Sequence, residues 1–286
     1  MTEASVDGIL TAVSELKSDS RLVILLGTPE GLKAVSKKFS SLQGVIRIKR
    51  GVFIAQEYSE IHEAVLLNQP FVSFSKTKEI PTVREKMKDA YSNSVYSLVS
   101  FSFISPTAQQ KKRVERLVRK TTGIRLRPGV ILFPLLRSKE RRRIVGTEDE
   151  KLLIDSSEFS KILSSIGSNT FRWSRLKIDN LDGSKHISDA VEQTLNRDLA
   201  SIQVRIHKLR KQLNGSNVTI GQLKKNYSVL SRSFREIKTK WMIARTIWFF
   251  DAEKALKRTY NMLISTRRAI SSLETKQSSS SPDTNI

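Results

Sequence analysis

The stretch "IRLRPGVILFP", Ile124 to Pro134, decides the fold, because the chain writes a close copy of it seventy-eight residues earlier as "IRIKRGVFIA", Ile46 to Ala55. Each copy alternates apolar and basic residues, passes through a turn, and ends in an apolar run. Pro128-Gly129 suits the two central positions of a type II turn, since proline fixes φ near −65° and glycine accepts φ > 0. Arg50-Gly51 holds the same place in the first copy, so each motif is expected to be a hairpin.

Outward from the motif the likeness continues. Leu22-Val23 corresponds to Leu98-Val99 at an offset of 76, and Pro29 to Pro106 at 77. Near-constant spacing makes the hairpin part of a longer repeat. In the first copy, a continuous apolar run at Leu22–Leu26 reads as a buried strand. Thr28 and Pro29 then suit a helix start, and the helix is expected to reach about Leu42. In the second copy, "YSLVSFSFISP" precedes a helix from Thr107 to Thr122. After each hairpin comes a helical stretch and a strand: "EYSEIHEAVLLN" then "FVSFSK", and "SSEFSKILSSIG" then "TFRWSRLKI". The second copy inserts "RSKERRRIVGTEDEKLLID", expected as an exposed loop or hairpin extension. Strand, helix, strand, strand, helix, strand, written twice, predicts an α+β chain with two ferredoxin-like plait domains, residues 21–90 and 91–180. An N-terminal helix is expected over residues 1–20.

Residues 22–75 resemble the RNA-recognition-motif family, with a second, divergent copy at 95–178. "LVILLGTPEGLKAVSKKF" is similar to that family's first strand and helix, and "RGVFIAQEYSEIHEAVL" to its third strand and second helix. The resemblance implies an α/β plait and RNA binding. The family stacks bases on aromatic residues of the third strand; here Arg50 and Gly51 fit the pattern while Val52 and Ile54 stand at the aromatic positions. The second copy also resembles the small ferredoxin-like nucleases of CRISPR adaptation. Where those enzymes hold a metal-binding acid, this chain reads Phe103-Ile104-Ser105, so nuclease chemistry is not expected.

From His186 the vocabulary changes, with no proline until Pro282. Ile202, Ile206, Leu209 and Leu213 step by 4, 3 and 4. Thr219 and Gln222 can form a capping box. Leu223, Tyr227, Leu230, Phe234, Ile237, Trp241, Ala244 and Trp248 then step by 4 and 3, which is a coiled-coil seam. Residues 186–276 are therefore expected as a helical coiled-coil hairpin, with 277–286 a disordered tail. A second helix running to Lys276 would be about 85 Å long, roughly twice the reach of the first. It must either bend back near Asp251 or pack on another subunit or on the plaits. Trp241, Trp248, Phe249 and Phe250 read as core at this spacing.

The net charge is +22, and it is concentrated. Residues 107–143 hold 13 Lys and Arg against Glu115 and Glu140, and residues 186–276 hold 18 against 7 acids; each segment carries +11, so the rest is neutral overall. Such a distribution points to polyanions, nucleic acid before membrane. The candidate phosphate contacts are Lys111, Lys112, Arg113, Arg116, Arg119 and Lys120 on the basic helix; Arg141, Arg142 and Arg143 in the insertion; and Arg47, Lys49, Arg50, Arg125 and Arg127 on the hairpins. Strand alternation would align the hairpin residues along an open sheet face. Phe171, Trp173 and Arg175 would share one face of the last strand, with core packing the favoured role for the aromatics.

An enzyme is not expected. His62, His186 and His207 are scattered, "GTPEG" lacks the ending of a phosphate loop, and the acids of "TEDE" and "DSSE" read as a solvated loop. No cofactor is expected. The chain has no cysteine, which excludes thiolate catalysis and sulfur-ligated zinc and favours a cytoplasmic location. The first residues do not read as a secretory signal, and no run approaches the roughly 18 apolar residues that span a bilayer, so a membrane partner is not expected. The leading reading is a non-enzymatic nucleic-acid-binding protein, RNA favoured by the resemblance. The alternative is a structural or adaptor protein that forms a homo-oligomer or takes a helical partner through residues 186–276.

Overall fold

The structure, a computed structural model, describes residues 16–27, 30–82, 94–213, 218–248 and 250–279. Its centre is a single antiparallel sheet of eight strands: β1 (Arg21–Leu25), β2 (Val45–Lys49), β3 (Val52–Ala55), β4 (Phe71–Lys76), β5 (Tyr96–Ser102), β6 (Ile124–Arg127), β7 (Val130–Pro134) and β8 (Asn169–Ile178). The strand order is β2-β3-β1-β4-β8-β5-β7-β6. Each half keeps the same internal order, and the halves join through their last strands, with Phe74 opposite Ile178 and Lys76 opposite Leu176. The stretches read as separate domains thus contribute four strands each to one sheet. Beyond the last register pair, Asn180 extends the seam with its side chain: its amide oxygen accepts from Ser73 N–H at 2.9 Å and its amide nitrogen donates to the Phe71 carbonyl at 2.9 Å.

Helices α1 (Leu32–Ser40) and α2 (Glu60–Leu66) cover the outer face of the first half, packing Phe39 and Leu66 on Val23, Leu25 and Phe53. In the second half, α3 (Ala108–Arg119) and α5 (Ser156–Ser165) do the same, with Val114, Phe159 and Leu163 on Val99, Ile131 and Phe133. The insertion, expected as a loop, forms α4 (Ser138–Val145) and a 3-10 turn at Glu150–Leu152. Arg137 is its N-cap, with Glu140 reaching back to the Arg137 N–H.

The inner face is not open. It meets α6 (Leu181–Leu213) and the end of α7 (Ile220–Trp248). Ile187, Val191 and Leu195 from α6, and Ile243, Ile247 and Trp248 from α7, share one core with Leu22, Ile24, Val72, Leu98, Leu132 and Trp173 of the sheet. Trp248 stacks on Tyr96 and donates its Nε1–H to the Tyr96 hydroxyl at 3.1 Å. Burial on both faces explains why β1, β3 and β7 are unbroken apolar runs instead of alternating ones.

The remaining helical length packs on itself. The expected hairpin is instead a bundle of three helices: α7 ends at Trp248, and Asp251 caps α8 (Glu253–Ser279), accepting from Glu253 N–H at 2.9 Å. Leu199, Ile202, Ile206 and Leu209 of α6, Leu223, Leu230, Phe234 and Ile237 of α7, and Leu256, Leu263 and Ile270 of α8 form its core. The long helix thus meets both expectations: its last turns pack on the sheet and the chain bends back near Asp251. Helix α8 also runs three residues into the expected tail.

Strand β8 corrects one face assignment. A bulge opposite Tyr96 and Leu98 places Arg175 at φ 57°. Trp173 and Leu176, three apart, therefore both point into the core, and Arg175 leaves the face it would have shared with Trp173. Residues 1–15 of the expected N-terminal helix, Thr28, Pro29, Phe249 and the tail from 280 lie outside the described residues; residues 16–20 hold a turn and not a helix.

Candidate functional site

The repeated hairpins have a precise structural task. In a flat sheet of eight strands about 4.8 Å apart, the outer strands would lie about 34 Å from each other. Yet Lys49, at the end of β2 on one edge, donates its ammonium protons to the carbonyls of Phe101 and Gly129, both at 2.9 Å, beside the hairpin of the other edge. In return Arg127 at the end of β6 donates to the carbonyls of Leu25 at 2.6 Å and Gly51 at 3.2 Å. The sheet must therefore curl until its two hairpin turns meet.

The clasp is reciprocal in sequence as well as in space. Lys49 and Arg127 are 78 residues apart, as are Gly51 and Gly129, and Leu25 and Phe101 differ by 76. Both glycines adopt φ 71°. A Cβ on Gly51 would fall 1.7 Å from an Arg127 nitrogen; one on Gly129 would fall 2.4 Å from Lys49 Nζ and 2.5 Å from the Phe101 carbonyl oxygen. Glycine is thus required twice, for its backbone angle and for the close approach. Burial, followed by the charge of Arg127, pushes the Lys49 ammonium down to about 8 from 10.5. Burial and then Arg50 lower Arg127 from its ordinary value.

The expected hairpin cations therefore separate. Lys49 and Arg127 spend their protons on backbone carbonyls at the clasp. Arg47 and Arg125 are exposed on the two edge strands, and Arg50 stands exposed in the first turn.

The basic helix matches its sequence reading closely. Thr107 is its N-cap, accepting from Gln110 N–H at 3.1 Å, while the Gln110 side chain accepts from Thr107 N–H at 2.9 Å. The same amide donates to the Ile166 carbonyl at 2.9 Å, tying α3 to the end of α5. Val114 is buried with Leu117 and Val118 packed beside it. That leaves Lys111, Lys112, Arg113, Arg116, Arg119 and Lys120 exposed, and none of the six is ion-paired with a described residue. Lys112, Arg116 and Arg119 step by 4 and 3 along the outermost line of the helix.

The insertion is less free. Arg141 donates to the carbonyls of Glu150 and Leu153, which fold the segment back on α4. Arg142 pairs with Glu150 at 2.7 Å, and only Arg143 of the three is exposed without such a bond. Arg235 of α7 meets Asp149, so the expected acidic loop is a strut against the bundle.

Sequence reasoning missed one group. Where α3, the edge strand β6, α6 and α7 converge, Arg119, Arg125, Thr194, Arg197, Asp198 and Lys240 line a cleft of about 170 Å³. Lys240 is buried and bonds Asp198 at 3.0 Å. Nearby on α7, burial raises the Glu236 carboxyl above its ordinary value, against the opposing charges of Lys120, Arg232, Lys240 and Arg205. The heptad spacing shows that α6 and α7 pack, but not which of their faces meets α3.

Among the described residues, no cluster of His, Cys, Asp and Glu is placed to hold a metal ion, and no helix is long and apolar enough to cross a membrane. Ser59 and His62 do touch, at 3.1 Å, as a helix cap, with His62 Nδ1 accepting the Ser59 backbone N–H at 3.2 Å. Comparison with protein-family models, with curated proteins and with solved structures finds no match.

Proposed function

We propose that this chain is a non-enzymatic nucleic-acid-binding protein, two ferredoxin-like plaits fused through their last strands and locked to a helical bundle, and that it grips the phosphate backbone through its second half. The observation that carries the reading is α3: six exposed cations over ten residues, with Glu115 the sole acid among them and no ion pair to a described residue. Leaving so much like charge together costs free energy unless a polyanion neutralises it. Arg125 and Arg143 extend the same surface, and Arg47 and Arg50 form a smaller group at the other hairpin. Lys49, Arg127 and Arg141 are placed outside the binding set because backbone carbonyls occupy them.

The mode is backbone contact and not base stacking. Trp173 and Phe101 are buried, and Phe171, half-buried, stacks on Trp173 against the core, so these aromatics serve the fold and not base stacking. RNA is preferred over DNA on the family resemblance alone. Self-association through residues 186–276 is the weaker reading, since the third helix covers the apolar seam that would have driven it. The test is binding of mixed-sequence RNA and DNA duplexes across a salt series. Phosphate contact predicts that log affinity falls with log salt at about 0.9 per phosphate engaged on B-form DNA. Negligible binding at low salt, or affinity indifferent to salt, overturns the proposal.

A further inference from the structure

We infer that the cleft between α3, β6, α6 and α7 seats a backbone phosphate, so that a nucleic-acid strand lying on the basic helix continues over the cleft onto the helical bundle. The inference rests on the nucleic-acid reading above and assigns the bundle a direct part in it.

Three features converge. First, the cleft has three exposed guanidiniums from three different elements: Arg119 from α3, Arg125 from β6 and Arg197 from α6. None of them is ion-paired with a described residue. A guanidinium presents a planar fork of donors that matches two phosphate oxygens at once, which an ammonium does not.

Second, the acids nearby are already engaged. Asp198 is held by the buried ammonium of Lys240, and Glu236 stands within the field of Lys120, Arg232, Lys240 and Arg205. Glu115 is the remaining acid at the rim, so with the Lys240–Asp198 pair set aside cations outnumber acids there three to one. The floor is thereby fixed by an ion pair while the rim stays positive.

Third, the size fits. A volume of about 170 Å³ corresponds to five or six waters at about 30 Å³ each. A phosphate with part of its hydration fills that space, whereas a base with its sugar exceeds it. Thr194 adds a hydroxyl donor on the α6 side. Arg119 belongs both to the outer line of α3 and to this rim, so the cleft continues the track of Lys112 and Arg116.

The experiment compares duplex binding by the full chain in three forms: wild type, Arg125→Gln with Arg197→Gln, and Lys112→Gln with Arg116→Gln. All four residues are exposed, so each variant is expected to melt within a few degrees of wild type. The cleft variant should bind at least tenfold more weakly at low salt, and its salt slope should fall by about one phosphate equivalent, 0.9 on B-form DNA. Arg197→Glu alone should produce a larger loss than Arg197→Gln alone, because it places a negative charge from the bundle at the rim. If the cleft variant and Arg197→Glu both bind as wild type does while the helix variant weakens, the cleft inference falls and the nucleic-acid reading stands. If wild type binds neither RNA nor DNA duplexes, both fall.

Discussion

The two halves of the sheet share a plan and differ in charge. Residues 21–76 and 96–178 repeat the strand order, the glycine turns at φ 71° and the clasp of one half on the other. Their first helices occupy equivalent places, yet α1 exposes Lys33, Lys37 and Lys38 where α3 exposes six cations. Of the basic residues that recur at equivalent positions near the turn, Lys49 and Arg127 are consumed by structure, while Arg47 and Arg125 stay exposed. Most of the charge that separates the two halves lies on their first helices, where the copies differ.

The halves also differ in how they hold the bundle. Tyr96 opens β5 and receives Trp248, while the matching place before β1, at an offset of 76, is Ser20. Trp248→Ala should therefore be the most damaging of the changes considered, about 3–5 kcal/mol of unfolding free energy, measured by urea denaturation. The clasp comes next. A non-glycine residue in the left-handed region costs about 1–2 kcal/mol. Gly129→Ala should exceed that, because the new Cβ meets the fixed Phe101 carbonyl, whereas Gly51→Ala should stay nearer to it, because the Arg127 guanidinium can swing aside. Equal losses at the two glycines would show that the clasp is less asymmetric than its contacts.

A third, smaller effect separates the two clasp cations. Lys49 is held at about 8 in the folded protein against 10.5 unperturbed. Between those pH values the unfolded chain binds more protons than the folded one, so stability rises with pH. Relative to Lys49→Met, wild type should therefore gain stability as pH climbs from about 8 to 10.5, with no change in the difference below that window. Arg127→Met removes the second cause of the depression and should move the onset of this gain to higher pH.

Much of the fold was legible. The buried runs, the Pro128-Gly129 turn, the Thr107 start of α3 and the heptad spacing of α7 are local signals, and each produced the element expected. What was not legible depends on partners far along the chain. Lys49 finds Gly129 eighty residues away, and strand alternation alone made it a surface residue. The apolar run of β1 read as a buried strand, yet one face of the sheet was expected to be open, and nothing local said that α6 and the end of α7 cover it. The bulge at Arg175 breaks the alternation without a glycine or proline to announce it. At the site, α3 was readable because an amphipathic helix shows its own exposed face. The cleft was not, since Arg125, Arg197 and Lys240 meet only through the docking of the bundle.

The comparison of the two first helices is tested most directly by the salt dependence of duplex binding in two matched variants. One carries Lys112, Arg116 and Arg119 changed to Gln; the other carries Lys33, Lys37 and Lys38 changed to Gln. Each loses three exposed positive charges, so net charge alone cannot separate them. If the second half grips the backbone, the α3 variant loses more than tenfold in low-salt affinity and its slope falls by about two to three phosphate contacts, while the α1 variant stays within about twofold of wild type. Equal losses in the two variants, or a wild-type protein that does not bind at low salt, would contradict the account.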